Sequence, residues 1–512
     1  MLGTATRCAV LVVWVIATVL TGAPLLARQI PPFGGQAAFV ADLDARRSRL
    51  VAALGPDTVL VLWSAAPKVY STDTNYEYRQ ESNLLYLTGV TTEPVVLVLV
   101  PGSPAAREFL FVPEVEPFRE LWYGRMPTPA DVAASTGISQ VFAQRGSEAF
   151  DAFMRGLLAE PSAAPPGDSP AERAGRAASP AGDRLRLAVL DPEQMSGASA
   201  QGGEGASRAT WFRQLQAGRS RPISLRSAEA MLLTQRQIKT PYEQQVLRHS
   251  VDISAAAHIE GMRATRPGRW EYEVEAAIEH WFLKSGALSW GYPSIVASGP
   301  NATTLHYISS TRQTRPGELL LVDAAANFQG LTGDITRTYP VSRRFSPDQR
   351  ELYELVLAAE EAGIGAARPG GRIEDITRAV RATVGAGLLR LGLVTDPAAA
   401  TGDSPQVDIW FPHSPVHGIG VDVHDPLGRL DPGAAFVVEP GIYIRVDTLD
   451  RLEAQPSTAA FARAVRPAVE RYRDVGIRVE DSLLMTPSGP ENLSRRAPRL
   501  VRDLERVVGT GR

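Results

Sequence analysis

Residues 39–54, FVADLDARRSRLVAAL, place apolar side chains at intervals of three and four, and the spacing predicts an amphipathic helix. TVLVLWSA (58–65) and VVLVLVPG (95–102) are unbroken runs of β-branched and aliphatic residues, which predict buried strands. RLRLAVL (184–190) predicts one more. The stretches EPSAAPPGDSPAERAGRAASPAGD (160–183) and SGASAQGGEGAS (196–207) break the pattern. They hold few large apolar side chains and are expected to be flexible insertions. The helical period returns beyond Pro222. Thr240-Pro241 has the residue types of a cap and first helical position for a long helix, and 270–285 predicts another. Strand-like runs and turns then alternate to about Thr486. No internal repeat of short period is visible. The pattern divides the chain into a mixed α/β domain over 29–222, a second domain over 223–493, and a basic tail, 494–512, expected to form a surface helix.

The first 27 residues have a pattern of their own. Arg7 precedes an apolar core from about Cys8 to Leu20, and small residues dominate Thr21 to Ala27. This is the three-part layout of a secretory signal peptide. Its apolar core is shorter than the roughly 20 residues a spanning helix needs. Cleavage after Ala27 is expected, although Leu25 is bulky for its position; an uncleaved anchor is the competing reading. Either way the rest of the chain is exported, periplasmic or secreted, and no stable membrane embedding is expected after cleavage. The only cysteine, Cys8, lies in this segment, so the remainder forms no disulfide and uses no thiolate nucleophile.

Composition excludes more than it selects. The chain has 512 residues, 44% hydrophobic and 21% charged, which is enough apolar material for two cores. A net charge of −3 and the lack of a basic block give no signal for nucleic acid or an anionic membrane surface.

Candidate chemistry is concentrated in four places. In LLLVDAAANFQGLTGDITRTYPV (319–341), Asp323 and Asp334 each sit in a strand-like run around a turn. A hairpin turning about their midpoint would set the carboxylates directly opposite each other. That arrangement is destabilising unless a cation lies between them; solvated positions or turn caps are the plain alternative. FPHSPVHGIGVDVHDP (411–426) gathers three of the seven histidines, His413, His417 and His424. Ser414-Pro415 disfavours a regular helix there, so this is not a helical zinc motif. Gly418 and Gly420 suggest close backbone approach. Glu439 ends the apolar run of AFVVEPGIYI, and Arg478 and Glu480 share a strand face in GIRVEDSLLMT, where a simple ion pair is the plain alternative.

Four carboxylates and one imidazole thus stand out as candidate ligands: Asp323, Asp334, His417, Glu439 and Glu480. Their four negative charges would balance two divalent cations. Oxygen-rich ligation with one imidazole suits Mn²⁺, Co²⁺, Zn²⁺ or Fe²⁺ without choosing among them. Two metals about 3.5–4 Å apart can hold a bridging hydroxide and clamp a carbonyl oxygen.

These residues, in this order and in the phrases VHGIGVDVHD, VEPGIY and GIRVED, resemble the ligand set of the pita-bread metallopeptidases. More narrowly, the chain resembles aminopeptidase P and prolidase, which cleave Xaa-Pro bonds. YPSIVASGPNATTLHY, with His306, and RQIKTPYE extend the likeness, and YRQESNLLYLTGV and LWYGR resemble the N-terminal domain of those enzymes. The resemblance spans most of Gln29 to Leu493.

It implies an α+β architecture, with a pita-bread catalytic domain behind the mixed α/β domain. It also implies an exported dinuclear aminopeptidase acting on peptides with proline second, with Mn²⁺ as the first expectation for the two metals. Asp334 and Glu480 would bridge them, Asp323 would bind one, and His417 with Glu439 the other. Glu439 would double as general base, and His424 and His306 would stabilise the tetrahedral intermediate. His413 would help hold the proline side, and Arg478 would orient Glu480 or touch substrate. A prolidase restricted to dipeptides is the nearest alternative, and a non-catalytic peptide-binding homologue is one of another class. A metal-independent creatinase-type hydrolase is disfavoured, because no ligand position is lost. There are departures: Leu85 stands where some relatives carry an aromatic reaching a neighbouring subunit, and the segment between Glu439 and Glu480 is long and charged. They leave substrate length and a homo-oligomeric assembly open.

Overall fold

The computed structural model describes residues 32–159, 167–181, 185–191, 203–217 and 223–511. The expected signal peptide, 1–27, lies outside them, as do 160–166, 182–183 and 196–202 of the expected insertions.

The N-terminal half is built on six strands, in the order Gln140–Gln144, Glu108–Pro113, Val96–Leu99, Thr58–Trp63, Leu185–Val189 and Ile223–Ser227. The pairings at the two ends are parallel and the two around Val96–Leu99 antiparallel. Alternation explains why these strands are apolar on both faces. Val59, Val61, Val96 and Val98 enter one core, whereas Leu60, Leu62, Leu97 and Leu99 enter another. Each face is covered, so polar positions are nearly absent. The last strand carries the sheet past residue 222, and the helix Glu229–Gln237 then leads into the second half.

The expected flexible insertion over 160–183 needs correction. A helix spans Pro170–Ala178, capped by Ser169 accepting from the Glu172 N–H. It packs on the helix Glu148–Leu157 through backbone rather than bulk. A Cβ on Gly156 would lie 2.0 Å from the Glu172 carbonyl oxygen, and one on Gly175 2.0 Å from that of Phe153. Small residues here make close packing possible instead of preventing it. Likewise the helix Gly203–Gln216 begins inside the second expected insertion.

In the C-terminal half, Ile295–Ser298, Leu319–Asp323 and Thr336–Pro340 form one antiparallel sheet. Ala435–Val438, Asp481–Thr486 and Gly489–Asn492 form a second, and Gly441–Ile444 pairs with Val475–Arg478. A bridge between Thr336 and Glu480 joins these systems. Two helix pairs cover them. Pro241–Ala264 with Glu271–Lys284 lies on the first, and Pro347–Ala366 with Ile373–Leu391 on the others. The long helices start where side chains satisfy their free N–H groups: Thr240 with Glu243, and Ser346 with Gln349, form reciprocal capping boxes, each with proline next.

The hairpin carrying the aspartates turns one residue later than its midpoint. Gln329 (φ 52°) and Gly330 (φ 81°) make the turn, a left-handed pair that favours glycine at the second position. Asp323 therefore faces Thr336, not Asp334. The two carboxylates are diagonal neighbours on one face, two residues out of the expected register.

The tail forms the expected surface helix, Val501–Val507, with one apolar side turned inward. Val501, Leu504 and Val508 form an apolar stripe buried by the helix Val501–Val507, and the Gly509 N–H bonds the carbonyl of Met262. The basic residues between them stay outside, which is why composition alone suggested a surface helix.

Candidate metal centre and active site

Four strand ends of the C-terminal half deliver a carboxylate each to one point. Asp323 ends its strand, Asp334 follows the hairpin, Glu439 precedes the turn at Pro440, and Glu480 follows Arg478 at the bridge to Thr336. All lie at ladder ends, where side chains can converge without breaking a sheet. His417 comes from the loop between the helical half and Ala435–Val438, held by the Val437 N–H on its carbonyl.

His417 Nε2 lies 3.3 Å from Glu439 Oε1, 3.7 Å from Asp334 Oδ2 and 3.9 Å from Glu480 Oε1. Ligand atoms of Asp334, His417 and Glu480 all lie within 4.8 Å of one another. The Nδ1 of His417 is 3.0 Å from the Gly418 carbonyl, to which it must donate, so Nε2 is the atom free for a metal. Asp323 stands on the far side of Asp334, with the Tyr292 hydroxyl between them. That hydroxyl is 2.6 Å from Asp323 Oδ1 and also bonds Asp334 Oδ1. A hydroxyl has one proton to give, so it cannot fully satisfy both carboxylates at once.

The electrostatics agree. Burial and then the neighbouring Asp323 charge push the Asp334 carboxyl well above the ordinary range, and burial with Asp334 and Glu439 does the same to Glu480. Burial would also raise Asp323 and Glu439. In Asp323 the Arg478 guanidinium and the Tyr292 hydroxyl outweigh it, and in Glu439 His417 and His413 do, so both are held low. His417, though buried, is pushed up to about 9 by Glu439 and Glu480. Without a cation the cluster therefore depends on shared protons. Glu480 Oε1 is buried and has no hydrogen-bond partner among the described residues. An unsatisfied carboxylate oxygen aimed at an imidazole and further carboxylates is what a divalent cation would satisfy, so the donor set fits a metal.

Arg478 does not touch Glu480 directly, which corrects the simpler expectation. Its Nη2 bonds Asp323 Oδ2 at 2.6 Å and its Nη1 bonds the Tyr443 hydroxyl at 2.9 Å. Its Nε bonds Thr336 Oγ1 at 3.0 Å, and that hydroxyl donates to Glu480 Oε2 at 2.7 Å. One guanidinium thus sets Asp323 at first hand and Glu480 through Thr336. His413 donates from Nδ1 to the Ser414 carbonyl and accepts from the Tyr443 hydroxyl at Nε2, both at 2.9 Å. Burial lowers its pKa, so it is a neutral ring beside the cluster. His424 and His306 are exposed. The His424 ring is 4.1 Å from that of His417, and burial with the charges of His417 and His306 lowers its pKa.

Tyr292, Thr336 and Tyr443 escaped the reading of the sequence. Each acts through one uncharged hydroxyl, and none falls in a spacing that marks a site. The only signal was position: Tyr292 opens the phrase that contains His306, and Tyr443 lies four residues after Glu439.

Two family models match the chain, Metallopeptidase family M24 over residues 245–487 and Aminopeptidase P, N-terminal domain over 43–162. A protein of Haemophilus influenzae named Xaa-Pro aminopeptidase is 29% identical over 91% of this chain and 97% of its own. The structure of Pseudomonas aeruginosa aminopeptidase PepP matches with a TM-score of 0.74 and 30% identity, over 91% of this chain and 97% of that one. Escherichia coli aminopeptidase P, zinc-substituted and in complex with product, matches with a TM-score of 0.75 and 28% identity over the same shares.

Proposed function

Because this chain belongs to metallopeptidase family M24, with an aminopeptidase P N-terminal domain ahead of it, we propose that it is an exported dinuclear aminopeptidase removing the residue before a proline. The observation that carries this is the convergence of three carboxylates, Asp334, Glu439 and Glu480, on His417, with Asp323 beside Asp334 across Tyr292 and Glu480 Oε1 left unsatisfied. The relatives' names supply the bond, and their near full-length match supports the transfer.

The residues divide the work. Asp323, Asp334, His417, Glu439 and Glu480 would hold two divalent ions, Mn²⁺ by first expectation. The ions supply Lewis acidity, acidifying water and polarising the scissile carbonyl. Glu439, held low by the neighbouring His417, is the proton acceptor at the cluster. His424, its pKa lowered, and His306 lie at the exposed edge of the cluster, where their ring N–H groups suit a carbonyl oxygen gaining charge. His413, with both nitrogens committed, offers its ring to the proline side. A tertiary Xaa-Pro amide has no N–H, so a site that binds it needs no acceptor there, and the neutral ring fits that demand.

Metal-loaded protein should hydrolyse Xaa-Pro-Xaa tripeptides and lose that activity on chelation. Turnover of Xaa-Pro dipeptides alone would make it a prolidase. Hydrolysis undiminished in metal-free protein would end the metallopeptidase reading.

A further inference from the structure

A cavity of about 480 Å³ adjoins the site, a volume within the range of small-ligand pockets. Leu305, Pro412 and Tyr443 line one side. Leu305 precedes His306, Pro412 precedes His413, and the Tyr443 hydroxyl bonds both His413 and Arg478. The cavity thus shares a wall with the proline side of the site. Arg445, Arg451 and Leu452 line the other, supplied by the long connection, 445–474, between the strands Gly441–Ile444 and Val475–Arg478.

The two arginines are not equivalent. Arg445 is locked to Asp447 by two hydrogen bonds, at 3.0 and 2.8 Å. Arg451 bonds the Thr448 hydroxyl at 3.2 Å, forms no ion pair among the described residues, and feels Asp447 only at longer range. Of the pair, Arg451 is the cation with donors to spare. It lies exposed at a cavity that Leu305, Ile409, Pro412 and Leu452 line together with Thr303, Thr304 and Gln455.

We propose that this cavity is a subsite for the residue after proline, in which Arg451 receives that residue's free carboxylate, making Xaa-Pro-Xaa tripeptides the favoured substrates. This rests on the Xaa-Pro reading of the metal centre. Chain length supplies the discrimination. Each residue advances a peptide by about 3.3–3.6 Å. A dipeptide ends at proline, one residue short of the subsite, and a longer peptide passes through it with a neutral amide. The side chain of the third residue rests against Leu305, Pro412 and Leu452.

The test compares a tripeptide acid with its C-terminal amide on the metal-loaded full chain. Wild type should favour the acid about tenfold in kcat/KM through KM, the effect of a charge-assisted hydrogen-bonded pair. Arg451→Gln should bring the ratio near one, and Arg451→Lys should restore part of it. A ratio near one in wild type, or one surviving in Arg451→Gln, overturns the proposal. If neither peptide is cleaved, the proposed activity fails separately, and calorimetry of the same two peptides decides the subsite. Tighter binding of the acid, lost in Arg451→Gln, sustains it; equal binding refutes it.

Discussion

Glu480 shows at the scale of one residue what the site costs the fold. It is buried, its carboxyl is pushed up by Asp334 and Glu439, and one oxygen is unsatisfied. Glu480→Gln should abolish metal binding and turnover, yet leave the melting temperature of the metal-free protein unchanged or higher. Metal analysis with calorimetry would check this, and a large fall in stability would mean that the carboxylate is structural. The pH dependence follows with a definite sign. Asp334 and Glu480 have raised pKa values, and His417 is raised to about 9. These three groups hold protons in the folded metal-free protein that the unfolded chain has released, so their contribution to its stability falls as pH rises through the window from about 4 to about 9. Bound metal displaces those protons. The stabilisation by saturating metal should widen with rising pH across that window, as melting curves at several pH values would show; a constant gap would contradict it. The four carboxylates, His413, His417 and His424 stood out in the sequence because carboxylates in apolar runs and clustered histidines violate a simple burial pattern, whereas His306 was marked only by the family resemblance. The hydroxyls that align them violate nothing, and so left no mark.

At the scale of elements, the loop from His417 to Asp425 is held from outside. Asp422 accepts from Arg79 at 2.8 Å, Ser82 at 2.6 Å and Arg236 at 2.5 Å. Asp425 accepts from Arg236 and, at 2.7 Å, from Lys239. Arg236, Lys239 and Asp425 are all buried. Removing the anion leaves two buried cations poorly paired, so Asp425→Ala should destabilise the protein by about 3–5 kcal/mol, measurable by denaturant titration. A loss below about 1 kcal/mol would show that water enters and pairs them. The close approach suggested by Gly418 and Gly420 has its cause here. A Cβ on Gly420 would lie 2.4 Å from the Asp425 carboxylate. Register was less legible. The hairpin of Asp323 and Asp334 was misplaced by two because the chain turns at Gln329–Gly330, and a Gly one residue off the midpoint outweighs symmetry. The helix Pro170–Ala178 was hidden for another reason: its contact is made by glycines, which periodicity does not count.

At the scale of the whole molecule, one core runs from the N-terminal sheet through both helix pairs, with Leu84 and Leu97 in the same cluster as Val438 and Leu484. Leu85, a noted departure, approaches the hairpin turn of its own chain, where a Cβ on Gly330 would lie 3.0 Å from it. The two-part organisation was legible as a change of period, whereas the packing between the parts depends on contacts hundreds of residues apart. If the leader is cleaved after Ala27, the mature protein begins at Arg28, and N-terminal sequencing of exported material should find it there. An intact Met1 on exported protein would instead support the anchor.

The triple grip on Asp422 has a historical corollary. A side chain shared by the front domain, the connecting helix and the histidine loop ties three stretches into one unit of inheritance. Descendants of this chain that replace Asp422 should be found to have altered Arg79, Ser82 or Arg236 as well. The front domain could then be exchanged between lineages only together with the loop it holds.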